Sequence, residues 1–164
     1  MNEKTLKNLK EAFAGESQAN RKYLAFAKKA EEEGYINAAK MFRAAAEAET
    51  IHAHAHLKAM KGIGTTAENL KEGVMGETYE FESMYPDMVK QAEEAGEKEA
   101  LRSFKFAMEA ERVHAKLYQQ ILDNLDSKEE MTFYLCTICG NVELQPVDKC
   151  FICGAGEKAF KIVE

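Results

Sequence analysis

The sequence predicts a mainly α protein: a bundle of four long helices followed by a small β-rich metal module. Three observations carry this. Apolar residues recur every three or four positions from the start to about residue 126, among Ala, Glu, Lys, Leu and Met, the strong helix formers. The helical part repeats itself: residues 30–54 align without gaps on 92–116, and 12 of the 25 positions are identical. All four cysteines fall in the last 30 residues, as Cys136-Thr-Ile-Cys139 and Cys150-Phe-Ile-Cys153.

The elements follow in order. Leu6, Leu9 and Phe13, then Tyr23, Ala27 and Ala30, mark the apolar stripe of the first helix. Breaks at Gly34, at Gly62 to Gly64 and at Gly96 divide the chain into helices of roughly 3–33, 36–61, 66–95 and 97–125. Thr65-x-x-Glu68 has the form of a capping box at the third start. The repeat has an offset of 62 residues, yet upstream Gly15-Glu16 matches Gly76-Glu77 at an offset of 61. The third helix therefore carries one extra residue, which a π-bulge absorbs most simply. Pro86 cannot donate to the carbonyl of Glu82, so an irregular turn is expected around 80–86. Asp126 to Glu130 is polar and reads as a hinge. Beyond it, Phe133, Tyr134, Val142, Phe151, Phe160, Ile162 and Val163 appear between turn residues, as in a small β module that needs metal to fold. The expected domains are a helical bundle over 1–126, a hinge over 127–130 and a metal module over 131–164.

Composition removes several function classes. The chain has 164 residues and a mass of 18.4 kDa, with 46% apolar and 30% charged residues, enough for a real core. Its net charge is −6 with no basic block, which disfavours nucleic acid. No apolar run approaches the roughly 20 residues of a membrane span. Met1 to Lys7 shows no charged-then-apolar leader, so the cytoplasm is the expected compartment. There, paired cysteines argue for a metal rather than disulfides.

The repeated segment carries Glu49-x-x-His52 and Glu111-x-x-His114, each with both side chains on one helix face. The first and third helices add Glu16 and Glu77. One Glu from each of two helices and Glu-x-x-His from the other two is the ligand set of ferritin-like di-iron and di-manganese bundles. Most glutamates here, such as Glu31, Glu32 and Glu94, are ordinary surface charges. The selected ones instead continue apolar stripes, where a carboxylate is costly unless paired or metal-bound. Glu16 sits between Phe13 and Tyr23, Glu49 and His52 follow Phe42 and Ala45, and Glu111 and His114 follow Phe104 and Ala107. Carboxylates with one imidazole per ion suit iron or manganese better than zinc. Glu80, three residues after Glu77, faces the same centre and exceeds the minimal set. His54 and His56 read as ordinary helix-end histidines.

Together, Gly15-Glu16-Ser17, Glu49-x-x-His52, Gly76-Glu77-x-x-Glu80, Met84-Tyr85-Pro86, Glu111-x-x-His114 and the terminal cysteine pairs resemble rubrerythrin, over essentially the whole chain. The resemblance implies a ferritin-like four-helix bundle with a rubredoxin-like module, acting as a non-haem peroxidase. A di-iron site would reduce hydrogen peroxide to water, and a tetrathiolate iron would deliver electrons from an external donor, a rubredoxin or an NAD(P)H-dependent reductase. Carried over, Glu49 and Glu111 bridge the irons, Glu16 is terminal on one, and Glu77 and His114 complete the other. Glu80 and His52 exchange on the first iron with redox state, as a harder ferric ion favours carboxylate. Tyr23 and Tyr85 then stand as hydrogen-bond donors to ligating carboxylates, or equally as aromatic packing.

The two cysteine pairs are ten residues apart and each is followed by glycine, Gly140 and Gly154, so that backbone N–H groups can reach the sulfurs. Cys136, Cys139, Cys150 and Cys153 fit iron or zinc equally well by geometry. Thr137 and Phe151 stand where rubredoxins often have proline. Two other functions compete: ferritin-like iron oxidation and storage, and a zinc ribbon for structure or binding. Connectivity poses a separate problem. A ferritin-like bundle needs a long crossing between its second and third helices, and few breaker residues lie between Lys61 and Ala67. Either the third helix starts near Gly73 to Gly76, or two chains exchange helix pairs. A homodimer is expected in both cases.

Overall fold

The computed structural model describes residues 1–163. Its helices are α1 (Glu3–Glu32), α2 (Ile36–Ala59), α3 (Thr66–Tyr79), α4 (Tyr85–Glu94) and α5 (Lys98–Asp123), with a π-helical turn over Glu80–Met84. Strands β1 (Phe133–Cys136), β2 (Val142–Glu143) and β3 (Phe160–Val163) follow, with a 3-10 turn over Glu157–Ala159. This is the expected class: mainly α, with a β-rich module around the cysteines. The chain forms two compact units, Met1–Gly64 and Thr65–Glu164.

The first unit is the α1–α2 hairpin. Asn2 caps α1 by accepting from the Thr5 N–H at 2.8 Å. The helix stops where Gly34 turns to a φ of 82°, a conformation that favours glycine. Its buried apolar residues are all alanines: Ala27 and Ala30 on α1, and Ala39, Ala46 and Ala53 on α2. Such small side chains let the two backbones approach closely. Asn20 uses that proximity, with Nδ2 donating to the Ala46 carbonyl at 2.7 Å and to Thr50 Oγ1 at 2.8 Å. Tyr23, Phe26 and Phe42 form an aromatic cluster nearer the connecting turn.

In the second unit, α3, the π turn and α4 run as one irregular rod against α5. The capping box at Thr65 is present in full. Thr65 Oγ1 accepts from the Glu68 N–H, and Glu68 Oε2 accepts from the Thr65 N–H at 2.7 Å. The third helix thus starts at Thr66, which overturns the option of a start near Gly73 to Gly76. The capping box fixes the start locally, and Gly73 is an interior helical position where a Cβ would meet the Tyr118 ring at 3.2 Å. The extra residue of the repeat is absorbed as expected: the Tyr85 N–H donates to the Glu80 carbonyl, five residues back.

The module's three antiparallel strands have the order β2-β1-β3. Tyr134 pairs with Glu143, and Cys136 pairs with Phe160. The two cysteine knuckles repeat one backbone pattern. The Cys136 N–H donates to the Asn141 carbonyl and the Cys150 N–H to the Ala155 carbonyl; Gly140 and Gly154 donate back to Cys136 and Cys150. Both glycines have φ near +80° (83° and 76°), which closes the knuckle.

Candidate metal centres

Each unit carries one carboxylate–histidine set. In the first, ligand atoms of Glu16, Glu49 and His52 lie within 4.8 Å of one another. His52 Nδ1 is 2.8 Å from Glu49 Oε2, the i, i+3 pairing expected from one helix face. Glu49 is largely covered, whereas His52 remains more than half exposed. His54 is exposed and His56 half-buried. His54 and Glu49 share the wall of a cavity of about 210 Å³ with Asn20, Arg21 and Thr50.

In the second unit, Glu77, Glu111 and His114 form the matching set, again within 4.8 Å. His114 Nδ1 lies 2.6 Å from Glu111 Oε2. Burial, a hydrogen bond to Glu111 and the repulsion of that like charge push the Glu77 carboxyl up to about 7. The hydrogen bond from His114 holds Glu111 below its usual range. The same bond raises His114, against burial, with help from the Gly140 carbonyl. Glu80 stands beside this group and is raised by burial and by Glu111. Tyr85 is raised by burial and by the fields of Glu80, Glu111 and Glu77, so its hydroxyl borders the carboxylates, while its ring packs on Phe104. Tyr23 belongs to the aromatic cluster of the first unit. Two carboxylates this close repel each other unless a proton or a cation offsets their charge. A divalent ion is the group that such a donor set fits.

The cysteine cluster is complete. The four Sγ atoms lie within 4.8 Å of one another, with Cys136 and Cys153 at 3.7 Å and Cys139 and Cys150 at 3.6 Å. None forms a disulfide. Burial raises the Cys139 and Cys153 thiols, against the Asn141 N–H on Cys139 and the Ala155 N–H on Cys153. These are the amides that follow Gly140 and Gly154, as the spacing predicts. Asn141 is a residue of the cluster's surroundings that the sequence did not single out. It is wholly buried, and its Nδ2 donates to Glu143 Oε1 at 2.7 Å and to Cys150 Sγ at 3.8 Å. Nothing in the sequence separates this asparagine from a turn residue.

The rubrerythrin family model matches residues 7–122. The chain belongs to the rubrerythrin family. It is 33% identical to rubrerythrin-2 of Clostridium acetobutylicum over 93% of each chain. It is 38% identical to nigerythrin of Nitratidesulfovibrio vulgaris, over 91% of this chain and 81% of that one. A solved nigerythrin, in its fully reduced, all-ferrous state, superimposes with a TM-score of 0.60 at 36% identity, over 97% of this chain and 86% of that chain. This rubrerythrin-family protein has the ferritin-like helices and the rubredoxin-like cysteine cluster that its motifs predict, and its donor sets are candidate iron ligands. No described helix is long and apolar enough to cross a membrane.

Proposed function

We propose that this rubrerythrin-family protein is a non-haem di-iron peroxidase that reduces hydrogen peroxide to water. The observation that carries the reading is the presence, in one chain, of two carboxylate–histidine sets and a four-thiolate cluster able to hold a one-electron carrier. The overall change is H2O2 + 2 e⁻ + 2 H⁺ → 2 H2O. Iron held by the carboxylate sets would supply the two electrons, and iron held by Cys136, Cys139, Cys150 and Cys153 would return them one at a time from a rubredoxin or an NAD(P)H-dependent reductase.

The residues then divide the work. Glu49 and Glu111 would serve both ions, Glu16 would hold one, and Glu77 and His114 would hold the other. Glu80 and His52 would alternate as ligands of the first ion with its redox state, and the His52 ring is more than half exposed. The Tyr85 hydroxyl, raised by burial and by the neighbouring carboxylates, would place an exchangeable proton at the site. Tyr23 and Tyr85 orient the carboxylates. We further propose the domain division at 127–130, a cytoplasmic setting with reduced thiols, and a homodimer. The six residues between Ala59 and Thr66 reach about 20 Å, whereas the 24-residue α2 is about 36 Å long. Exchange of helix pairs between two copies satisfies the ferritin-like order with so short a link.

An anaerobic titration of the reduced, iron-loaded protein with hydrogen peroxide tests the function. Rapid return of the visible band of oxidised tetrathiolate iron with peroxide, and slow return with air, is the expected result. Equal response to air moves iron oxidation and storage ahead, and absence of the band favours a zinc ribbon.

A further inference from the structure

One residue touches three of the four cysteines. The Asn141 carbonyl accepts from the Cys136 N–H at 2.8 Å, and the Asn141 N–H donates to Cys139 Sγ. Its side chain crosses to the other knuckle, where Nδ2 donates to Cys150 Sγ at 3.8 Å. The second proton of Nδ2 goes to Glu143 Oε1 at 2.7 Å. That carboxylate decides which way the carboxamide points, because Oδ1 in the same place would face another acceptor. Glu143 is in turn held by the sheet, opposite Tyr134 of β1.

Packing alone does not account for this side chain. Asn141 is wholly buried, and its Oδ1 has no hydrogen-bond partner among the described residues. An orphaned acceptor in a core destabilises it, and a leucine would fill a similar space without one. What the carboxamide adds is its pair of N–H bonds. Cys150 already receives the N–H groups of Ile152 and Cys153, so Asn141 gives this sulfur a further donor from the opposite knuckle.

We propose that Asn141 is a positioning residue of the four-cysteine site, which ties the two knuckles together and, through Nδ2–H on Cys150, raises the reduction potential of the iron held there. The proposal rests on the reading that iron fills this site. Reduction adds one electron, supplied by the external donor. No bond forms or breaks, and no proton moves. The ion and its four thiolates then carry one more negative charge, and a hydrogen bond to a sulfur stabilises that more negative form the more. Inside a buried shell the bond acts more strongly than it would in water. With Asn141 the site therefore accepts electrons more readily than without it.

Two measurements on the full-length protein test this, and neither uses peroxide. The first is a redox titration of the iron-loaded chain, following the visible band of oxidised tetrathiolate iron. Asn141→Leu keeps a similar volume and removes the donor. It should lower the reduction constant about tenfold, or about 59 mV for one electron, with the band retained. A purely structural role would weaken loading or stability and leave the potential of the bound iron where it was. An unchanged potential with the band intact therefore overturns the proposal. The second measurement needs no variant. Protein loaded with ¹¹³Cd should show scalar coupling from the metal, through Cys150 Sγ, to one Hδ2 proton of Asn141. Couplings to the backbone amides of Asn141, Ile152 and Cys153 with none to Hδ2 overturn the contact. This measurement decides if Asn141→Leu fails to load iron. A parent whose potential shifts as expected but which ignores peroxide defeats the peroxidase reading and leaves the role of Asn141 intact. A cysteine site that takes up no redox-active iron overturns the effect on potential.

Discussion

Glu77 shows how a site is built from charges that repel. A glutamate on an exposed helix face stays ionised at neutral pH, yet here burial and the neighbouring Glu111 carboxylate raise it to about 7. A carboxyl raised in the folded state holds its proton where the unfolded chain has already lost it. The metal-free protein therefore loses stability as pH rises from about 4.5 to about 7. His114 acts in the same sense. Its raised value adds stability that is fully present below its ordinary 6.5 and is lost as pH rises through the higher folded value. Thermal unfolding of apo protein across this range should show the decline, and Glu77→Gln should make it shallower, leaving the part due to His114. A divalent cation must displace the shared proton, so its affinity should increase with pH through about 7. Isothermal titration with Mn²⁺ in buffers of different ionisation enthalpy should detect the released protons, and Glu77→Gln should reduce that release, leaving the share of His114.

At the scale of the element, the π turn sets the bearing of a whole helix. One residue more than the α-helical count turns the segment before Glu80–Met84 by about 100° relative to the segment after it. Glu77 and Glu80 thereby face Glu111 on α5. Deletion of Ser83 should restore a regular helix, swing both carboxylates away and reduce iron in the carboxylate sets. Metal analysis should show that loss while the tetrathiolate band stays, because the cysteine cluster draws nothing from this turn. The capping box makes a smaller, purely structural contribution. Thr65→Ala leaves one N–H of α3 without its partner and should cost about 1 kcal/mol in denaturant unfolding, with metal content unchanged.

For the molecule as a whole, the two kinds of metal site answer to different forces. The helical hairpin buries alanines and needs no metal to pack, whereas the module has three short strands and a core centred on Cys136, Cys150 and Asn141. So small a core depends on its ion. A strong chelator should melt the module alone. Amide protection over 133–163 should be lost while α1, α2 and most of α5 stay protected, and far-ultraviolet helicity should remain nearly constant. If helicity collapses with the module, the sheet supports α5 far more than its contacts indicate.

Sequence alone determined the features set by local chemistry and periodicity. The helix stripes, the breaks at Gly34 and Gly96, the Thr65 box and the Glu-x-x-His pairs depend on residues within one or two turns of each other. Even the π turn was legible, because a duplicated segment supplies its own ruler: offsets of 61 and 62 differ by the one inserted residue. The cysteine spacing likewise brought four thiols together as one candidate metal site. Tertiary structure decided what depends on neighbours distant in the chain. It left the His52 ring exposed and buried Asn141 against Cys150. It also set the Gly140 carbonyl on His114, 26 positions away. No periodicity encodes such a contact, because its existence depends on how a whole module seats on a helix, and only the packed chain specifies that.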